Sequence, residues 1–271
     1  MPSSRPEQRH LIYENPRLYD LAFSFRDIAG ECDGVLDLAR EHGVARAGSV
    51  VEIACGPGHH LREFARRGLD SIGVDISPDM LGYAKSLCKK DGVTARLQRA
   101  DMRRFRLPRR VDVAICLFDS FTHCTSDDDG IAALRSTARA LRPGGLMILE
   151  LTHPGDYFDE GHSRTLGKWV ERHPDVVVRA RYDTSGRDAV DETYTATMTI
   201  DATYRDGRAP KRIVSRQLHR MWLRSSISNI VARGADFDAV GWYGDLSTRV
   251  PLSMSLDAWR MVVVLRRRAI R

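Results

Sequence analysis

The chain has 271 residues, 42% hydrophobic and 29% charged, with a net charge of +6. This composition excludes a disordered chain and suits one large α/β domain, or one domain carrying a sizeable insert. No apolar run approaches the roughly 20 residues of a membrane span, and the N-terminal MPSSRPEQRH has no apolar stretch of the secretory type. A cytoplasmic protein is expected.

Ahead of the first strand, Pro16 to His42 reads as one or two helices. Ser49 to Ala54 (SVVEIA) is a short, β-branched apolar run. A glycine-rich turn follows, then a helical segment from His60 to Arg67 closed by Gly68. Ser71 to Asp75 is a second strand. Ser77-Pro78 supplies an N-cap and a first-turn proline for a helix that Gly92 ends. Thr94 to Gln98 reads as a weak third strand, and Val111 to Phe118 as a fourth, apolar enough for burial on both faces. Ser126 with Asp127, Asp128 and Asp129 opens the next helix, where acids favour the positive end of the dipole. Pro143-Gly144-Gly145 stops it, and Leu146 to Leu151 is a fifth strand. Strands alternating with helices predict a parallel, doubly wound sheet.

The pattern then changes. From about Lys168 to Leu223 the residues alternate with period two, most clearly where Thr193, Thr195, Thr197 and Thr199 interleave with Tyr194, Ala196, Met198 and Ile200. A half-covered antiparallel insert of three or four strands is expected, with turns at Thr184-Ser185-Gly186 and Asp206-Gly207. A short helix, Ser226 to Arg233, and two strands, Phe237 to Tyr243 and Trp259 to Leu265, close the main sheet.

Cys32, Cys55, Cys88, Cys116 and Cys124 form no CxxC pair. They read as buried, reduced thiols, and no metal site is expected. The basic excess is 37 arginines against only 5 lysines, a compositional bias. Its densest run, Arg99 to Arg110, lacks interleaved aromatics beyond Phe105 and reads as a solvated loop, so a nucleic-acid partner is not expected.

The informative stretch is Glu52-Ile53-Ala54-Cys55-Gly56-Pro57-Gly58-His59-His60. Glycines between a strand and a helix let backbone approach a ligand closely and present helix N-terminal amides. Asp75 ends the second strand 19 residues after Gly56, where a carboxylate can bind ribose hydroxyls. Asp101 follows the third strand, and Glu52 places a charge inside the first. A dinucleotide fingerprint would need glycine where Leu61 stands. His59 and His60 read as the exposed first turn of a helix, and Cys55 as a small packing residue.

VVEIACGPGHH, GVDIS, RADM, DVAICLFDS and LRPGG, in this order over roughly residues 45 to 151, resemble the class I S-adenosylmethionine-dependent methyltransferases of small-molecule type. The resemblance implies a seven-stranded, mostly parallel Rossmann-like sheet with a small antiparallel lid. It divides the chain into a helical cap (1–44), a cofactor-binding core (45–151), a lid insert (152–224) and the rest of the core sheet (225–271). It implies S-adenosyl-L-methionine as cofactor, S-adenosyl-L-homocysteine as product, and methyl transfer to an N or O nucleophile by in-line displacement. Glu52 and the Ala54, Cys55, Gly56 and Gly58 backbone would hold the methionine part. Asp75 would bind the ribose diol, with Ile76 beside the adenine and Ser77 and Met80 among the cofactor-binding residues. Asp101 and Met102 would meet the adenine, and Leu117 and Phe118 the methionine and methyl group. Tyr19-Asp20 resembles the start of a closing helix, with Tyr19 and Arg26 reaching the cofactor carboxylate. All these groups on the cofactor that need partners include an ammonium, a diol and an amine, which suit carboxylates.

For proton removal the candidates are His123 and Asp119, after the fourth strand where sheet topology puts the ligand crevice, and more weakly His153. Trp222, Trp242 and Tyr243 are candidates for an acceptor pocket, with core packing as the other reading. The acceptor is expected to be a small molecule, with a peptide, protein or RNA acceptor, or a non-catalytic binding module, as alternatives. The oligomeric state, a homodimer included, stays open.

Overall fold

The computed structural model describes residues 11–158, 167–234 and 236–269. The polar N-terminal decapeptide falls outside them. Eleven strands and seven helices follow in chain order: α1 (Pro16–Ala22), α2 (Ile28–Glu41), β1 (Ser49–Ile53), α3 (His59–Arg66), β2 (Asp70–Asp75), α4 (Pro78–Asp91), β3 (Arg96–Arg99), β4 (Val111–Cys116), α5 (Asp127–Ala140), β5 (Leu141–Thr152), α6 (Gly155–Phe158), β6 (Lys168–Arg172), β7 (Val176–Asp188), β8 (Thr193–Tyr204), β9 (Lys211–Arg220), α7 (Arg224–Gly234), β10 (Phe237–Tyr243) and β11 (Arg260–Arg267). A 3-10 turn, Ser120–His123, follows β4.

The main sheet has the order β10-β11-β5-β4-β1-β2-β3, and a second sheet has the order β6-β7-β8-β9. In the main sheet β1 pairs parallel with β2 and β4, while β11 runs antiparallel to both β5 and β10. The strand order reverses between β1 and β4, so the carboxyl ends of β1, β2, β4 and β5 open on one crevice. Both faces of the sheet are covered. Leu134, Trp222 and Ile230 pack on one face with Met147 and Val263, whereas Val35, Leu38 and Phe64 pack on the other with Val50 and Val262. Among the described residues no helix is long and apolar enough to cross a membrane.

Local chemistry explains the elements nearest the crevice. The Ser77 side chain accepts from the Met80 amide and Pro78 occupies the first turn of α4, while Gly92 ends it at a φ of 66°. Gly73 lets α3 and β3 close on β2. A Cβ there would stand 2.8 Å from Cys55 Sγ and 3.0 Å from both Leu61 Cδ2 and Leu97 Cδ2. The four-stranded sheet puts Tyr194, Ala196, Met198 and Ile200 inward, as the period-two pattern predicts. Against it packs α1, through Leu18, Ala22 and Phe23 with Val176, Val178 and Met198.

Several local expectations change. Thr184-Ser185-Gly186 is not a turn: β7 continues to Asp188, with a register shift between Ser185 and Asp188. Gly186, at a φ of 59°, supplies the backbone freedom of a bulge rather than of a reversal. Pro143-Gly144-Gly145 likewise lies within β5. Leu141 already pairs with Val111, and a register shift absorbs the extra residues. Leu117 and Phe118 lie past the end of β4 rather than in it. His60 is buried, not an exposed first-turn residue.

Candidate functional site

A cavity of about 670 Å³ lies over the crevice, between the strand ends, α1 and the second sheet. Tyr19, Ala54, Gly56, Asp75, Ile76, Met80, Asp101, Met102, Phe118, Asp119 and His123 line it. Arg26, Glu52, Cys55, Gly58, Ser77 and Leu117 do not.

Each wall residue is set by its backbone. Ala54, Phe118 and Asp119 all adopt positive φ (55°, 56° and 61°), as does Glu192 elsewhere. So three of the four described non-glycine residues with this strained geometry face the cavity, where such strain re-aims the chain at a ligand. Gly56 also has positive φ, and a Cβ built there would meet nothing within 4 Å. The turn therefore leaves room directly above it.

Asp75 is 9% exposed. Its Oδ2 accepts from the Gly56 amide and its Oδ1 from the Ser77 amide, both at 2.8 Å. Burial pushes its carboxyl up, against the pull of those two amides. Each oxygen keeps capacity for a second donor, so a buried acceptor is aimed into the cavity with room for a diol. Ile76 beside it is a large apolar side chain left 61% exposed, a flat surface that an aromatic ring can cover. Asp101 is more committed, taking the Arg103 guanidinium and the Arg103 amide. Burial opposes its ionisation, but those bonds hold it below the usual carboxylate range. The turn, Asp75 and Ile76 thus fit an adenosine-bearing molecule.

Glu52 lies outside the cavity lining, held by protein partners. Its carboxylate accepts from His60 Nδ1 at 2.7 Å and from the Leu61 amide at 3.1 Å. The other ring nitrogen of His60 faces Glu31 at 2.7 Å. Burial disfavours the imidazolium, but the Glu52 charge and the ring's hydrogen bonds to both carboxylates outweigh it and bring His60 up to about 9. Burial likewise opposes ionisation of Glu31, yet His60 and Arg26 bring it down to about 2. Arg26 pairs with Glu31 and stacks 4.2 Å above the Phe118 ring. The charges that do line the cavity here are Glu150 and Arg260, with 2.8 Å between Oε1 and Nη1. Glu150 Oε2 also accepts from the Phe118 amide at 3.1 Å.

The side of the cavity toward the second sheet is polar. Tyr13 Oη lies 3.1 Å from His123 Nε2 and 3.5 Å from Gln217 Oε1. The His123 and His219 rings meet edge-on with centroids 4.6 Å apart. Asp119 accepts from the Thr152 amide at 2.8 Å and from Tyr194 Oη at 3.5 Å. Burial pushes its carboxyl up to about 7.

The remaining sequence candidates lie elsewhere. His153 is buried, with Nε2 3.0 Å from the Ser253 carbonyl and Nδ1 accepting from the Gly155 amide at 3.0 Å, so it orders a loop. Trp222 packs against Phe121, and Tyr243 bonds His42 at 2.7 Å. Neither lines the cavity, and nor does Trp242. Cys55 is buried, and burial raises its thiol well above the ordinary value, which leaves it inert. Sequence reasoning missed Tyr13, Glu150, Gln217, His219 and Arg260. One signal was available. Ile213, Ser215, Gln217 and His219 share the inward face of β9, and a polar row on a buried face marks a wall that meets something polar.

Residues 50–145 match a family model described as a methyltransferase domain. The chain is similar to the sugar N-methyltransferase KedS8 from Streptoalloteichus sp ATCC 53650, with 25% identity, a TM-score of 0.72 and 93% of each chain covered. DesVI from Streptomyces venezuelae aligns with a TM-score of 0.77 at 22% identity, over 94% of this chain and 98% of that one. The fold is the Rossmann-like one of these structures. In sequence the chain is 35% identical over 135 residues to the dTDP-3-amino-3,4,6-trideoxy-alpha-D-glucopyranose N,N-dimethyltransferase of Streptomyces venezuelae, covering 49% of this chain and 55% of that protein. It is 33% identical over 139 residues to the dTDP-3-amino-3,6-dideoxy-alpha-D-glucopyranose N,N-dimethyltransferase of Streptomyces fradiae, covering 51% and 52%. The chain spans about half the length of these curated relatives. Residues 50–145 are thus similar to a methyltransferase domain, and the fold is that of the class I S-adenosylmethionine-dependent methyltransferases.

Proposed function

We propose that the protein transfers a methyl group from S-adenosylmethionine to a small-molecule nitrogen or oxygen nucleophile. An amino sugar borne on a nucleotide is the first acceptor to test, because the relatives most similar in sequence carry that chemistry in their names. One observation carries the reading: one cavity joins a buried, diol-ready carboxylate, Asp75, to a polar wall of Tyr13, His123 and Gln217. A cavity of about 670 Å³ between the strand ends, α1 and the second sheet suits a small acceptor better than a polymer.

When bound, the cofactor supplies a methyl group on a cationic sulfur that leaves as a neutral thioether. The chain's task is then to align, to exclude water and to accept a proton. Asp75 holds the ribose hydroxyls, Ile76 and Met102 flank the adenine, and the Ala54–Gly56 turn supports the remainder. Glu150 and Arg260 face the ammonium and carboxylate with opposite charges, the task first assigned to Glu52 and Arg26. Tyr19 and Phe118 cover the methionine end. The second sheet acts as the lid, and His123 and Asp119 stand on the polar wall where the acceptor would lie. Five free, buried thiols suit a reducing cytoplasm.

The test is S-adenosylhomocysteine formation from S-adenosylmethionine with a panel of dTDP-amino sugars, glycine and sarcosine. Acceptor-dependent turnover is expected. Cofactor binding without turnover on any member would favour a binding module, and no cofactor binding by calorimetry would overturn the reading.

A further inference from the structure

Two imidazoles share the acceptor wall, and their hydrogen-bond partners differ in a way that separates them. Thr122 Oγ1 donates to the Asp119 carbonyl at 2.7 Å, so its one proton is spent. At His219 Nδ1, 3.1 Å away, that oxygen can only accept. The Gln217 amide nitrogen donates to Ser215 Oγ at 3.3 Å, which turns the Gln217 carbonyl oxygen to His219 Nε2, also at 3.3 Å. His219 thus meets an acceptor at each nitrogen. A neutral ring has one N–H and leaves one of these contacts lone pair against lone pair, whereas an imidazolium satisfies both. The same logic, with carboxylates as the acceptors, holds His60 charged. His123 differs. Its Nε2 meets the Tyr13 hydroxyl, which can donate or accept, and that contact favours neither form.

We propose that His219, on lid strand β9, is the group that takes the acceptor's proton during methyl transfer. The inference rests on the methyl-transfer reading above. In the neutral ring the proton sits on Nδ1, facing Thr122, and Nε2 carries the lone pair. As the acceptor's lone pair forms the new bond to the methyl carbon, the sulfur–carbon bond breaks and its electron pair stays on sulfur. The acceptor's N–H or O–H proton passes to Nε2 as the acceptor displaces the Gln217 carbonyl, which lies 3.3 Å away, and the carbonyl closes back on the new N–H. The positive charge leaves the sulfonium and ends on an imidazolium whose new N–H has the Gln217 oxygen to receive it. Titratable neighbours of His219 include the His123 ring edge-on, Tyr194 Oη at 3.4 Å from Nδ1, and Asp119, which accepts from Tyr194. Asp119, pushed up to about 7 by burial, is a nearby negative charge that supports the imidazolium once ionised. Because β9 belongs to the lid, the proton acceptor is delivered only where lid and core meet.

The test needs no acceptor at first. Protein labelled with 15N-histidine is titrated and followed by long-range 1H–15N correlation, with His219 assigned from the His219→Gln spectrum. The neutral ring should be the Nδ1–H tautomer, and its imidazolium should persist above the ordinary histidine value of about 6.5. Gln217→Leu should move that titration down. An Nε2–H tautomer, or a titration that Gln217→Leu leaves unmoved, overturns the proposal. With dTDP-3-amino-3,6-dideoxyglucose as probe acceptor, His219→Asn should lower turnover by about a hundredfold or more and abolish the rising limb of the pH profile. His123→Asn should keep that limb, and a limb that survives in His219→Asn also overturns the proposal. Calorimetry of S-adenosylmethionine with His219→Asn should match the wild type. Failure of the wild type to bind it would fall on the methyl-transfer reading instead, and the tautomer result would stand apart from it.

Discussion

Asp75→Ala separates the carboxylate's two jobs. In the folded chain it accepts from the Gly56 and Ser77 amides, and it faces the cavity with capacity for two more donors. Hydrogen bonds to a charged acceptor contribute about 1.5–3 kcal/mol each, and water entering the vacated space recovers part, so cofactor affinity should fall by about 1–3 kcal/mol. That is a roughly 5- to 150-fold rise in dissociation constant. The two amides left behind should also cost about 1 kcal/mol or more of folding stability, since each is a donor stripped of its partner. Affinity alone therefore cannot separate a lost contact from a loosened turn. A double cycle does so, with S-adenosylhomocysteine and its 2′-deoxy analogue titrated calorimetrically into wild type and variant. If Asp75 binds the diol, the deoxy analogue should be weaker on the wild type and nearly unpenalised on Asp75→Ala, a coupling of about 1 kcal/mol or more. Additive effects, with the same penalty on both proteins, would refute the assignment even if affinity dropped.

Two further predictions concern the scaffold. Gly73→Ala should destabilise the fold by about 1–3 kcal/mol in urea unfolding, because its Cβ would press on Cys55, Leu61 and Leu97 at once; an unchanged midpoint would mean that α3 yields freely. The His60 cluster predicts a pH window. His60 is raised in the fold from 6.5 to about 9, so its contribution is complete below 6.5 and is lost as pH rises through about 9. Glu31 is lowered from 4.5 to about 2, so its contribution is present above 4.5 and is lost as pH falls through about 2. Unfolding free energy should decline between pH 7 and 9.5, and His60→Gln should flatten that decline. An equal slope in both proteins would show that His60 is not charged.

Much of the frame was legible because it depends on short-range chemistry. The caps of α4, the alternation in β8 and the order of strands and helices follow from residues a few positions apart, as do the acids at the ends of β2 and β3. Asp75 at a strand end after a glycine turn could be read as a ligand group because topology brings those ends to one crevice. The ambiguities lay where a residue's partner is remote in sequence. Glu52 inside a strand signals a buried countercharge, but nothing local says that the countercharge is His60 rather than a ligand.

The sequence by itself therefore determined the doubly wound core, the period-two antiparallel sheet and the placing of Asp75 at a strand end, since periodicity and turn chemistry act over a turn or two of chain. Only the tertiary structure decided which charges face the cavity. Glu150 and Arg260 come from β5 and the start of β11, Tyr13 precedes α1, and Gln217 and His219 sit on the lid. Their roles depend on burial and on partners roughly a hundred or more residues away, such as Tyr13 beside His123 and Thr122 beside His219. Folding alone brings those groups within hydrogen-bonding reach.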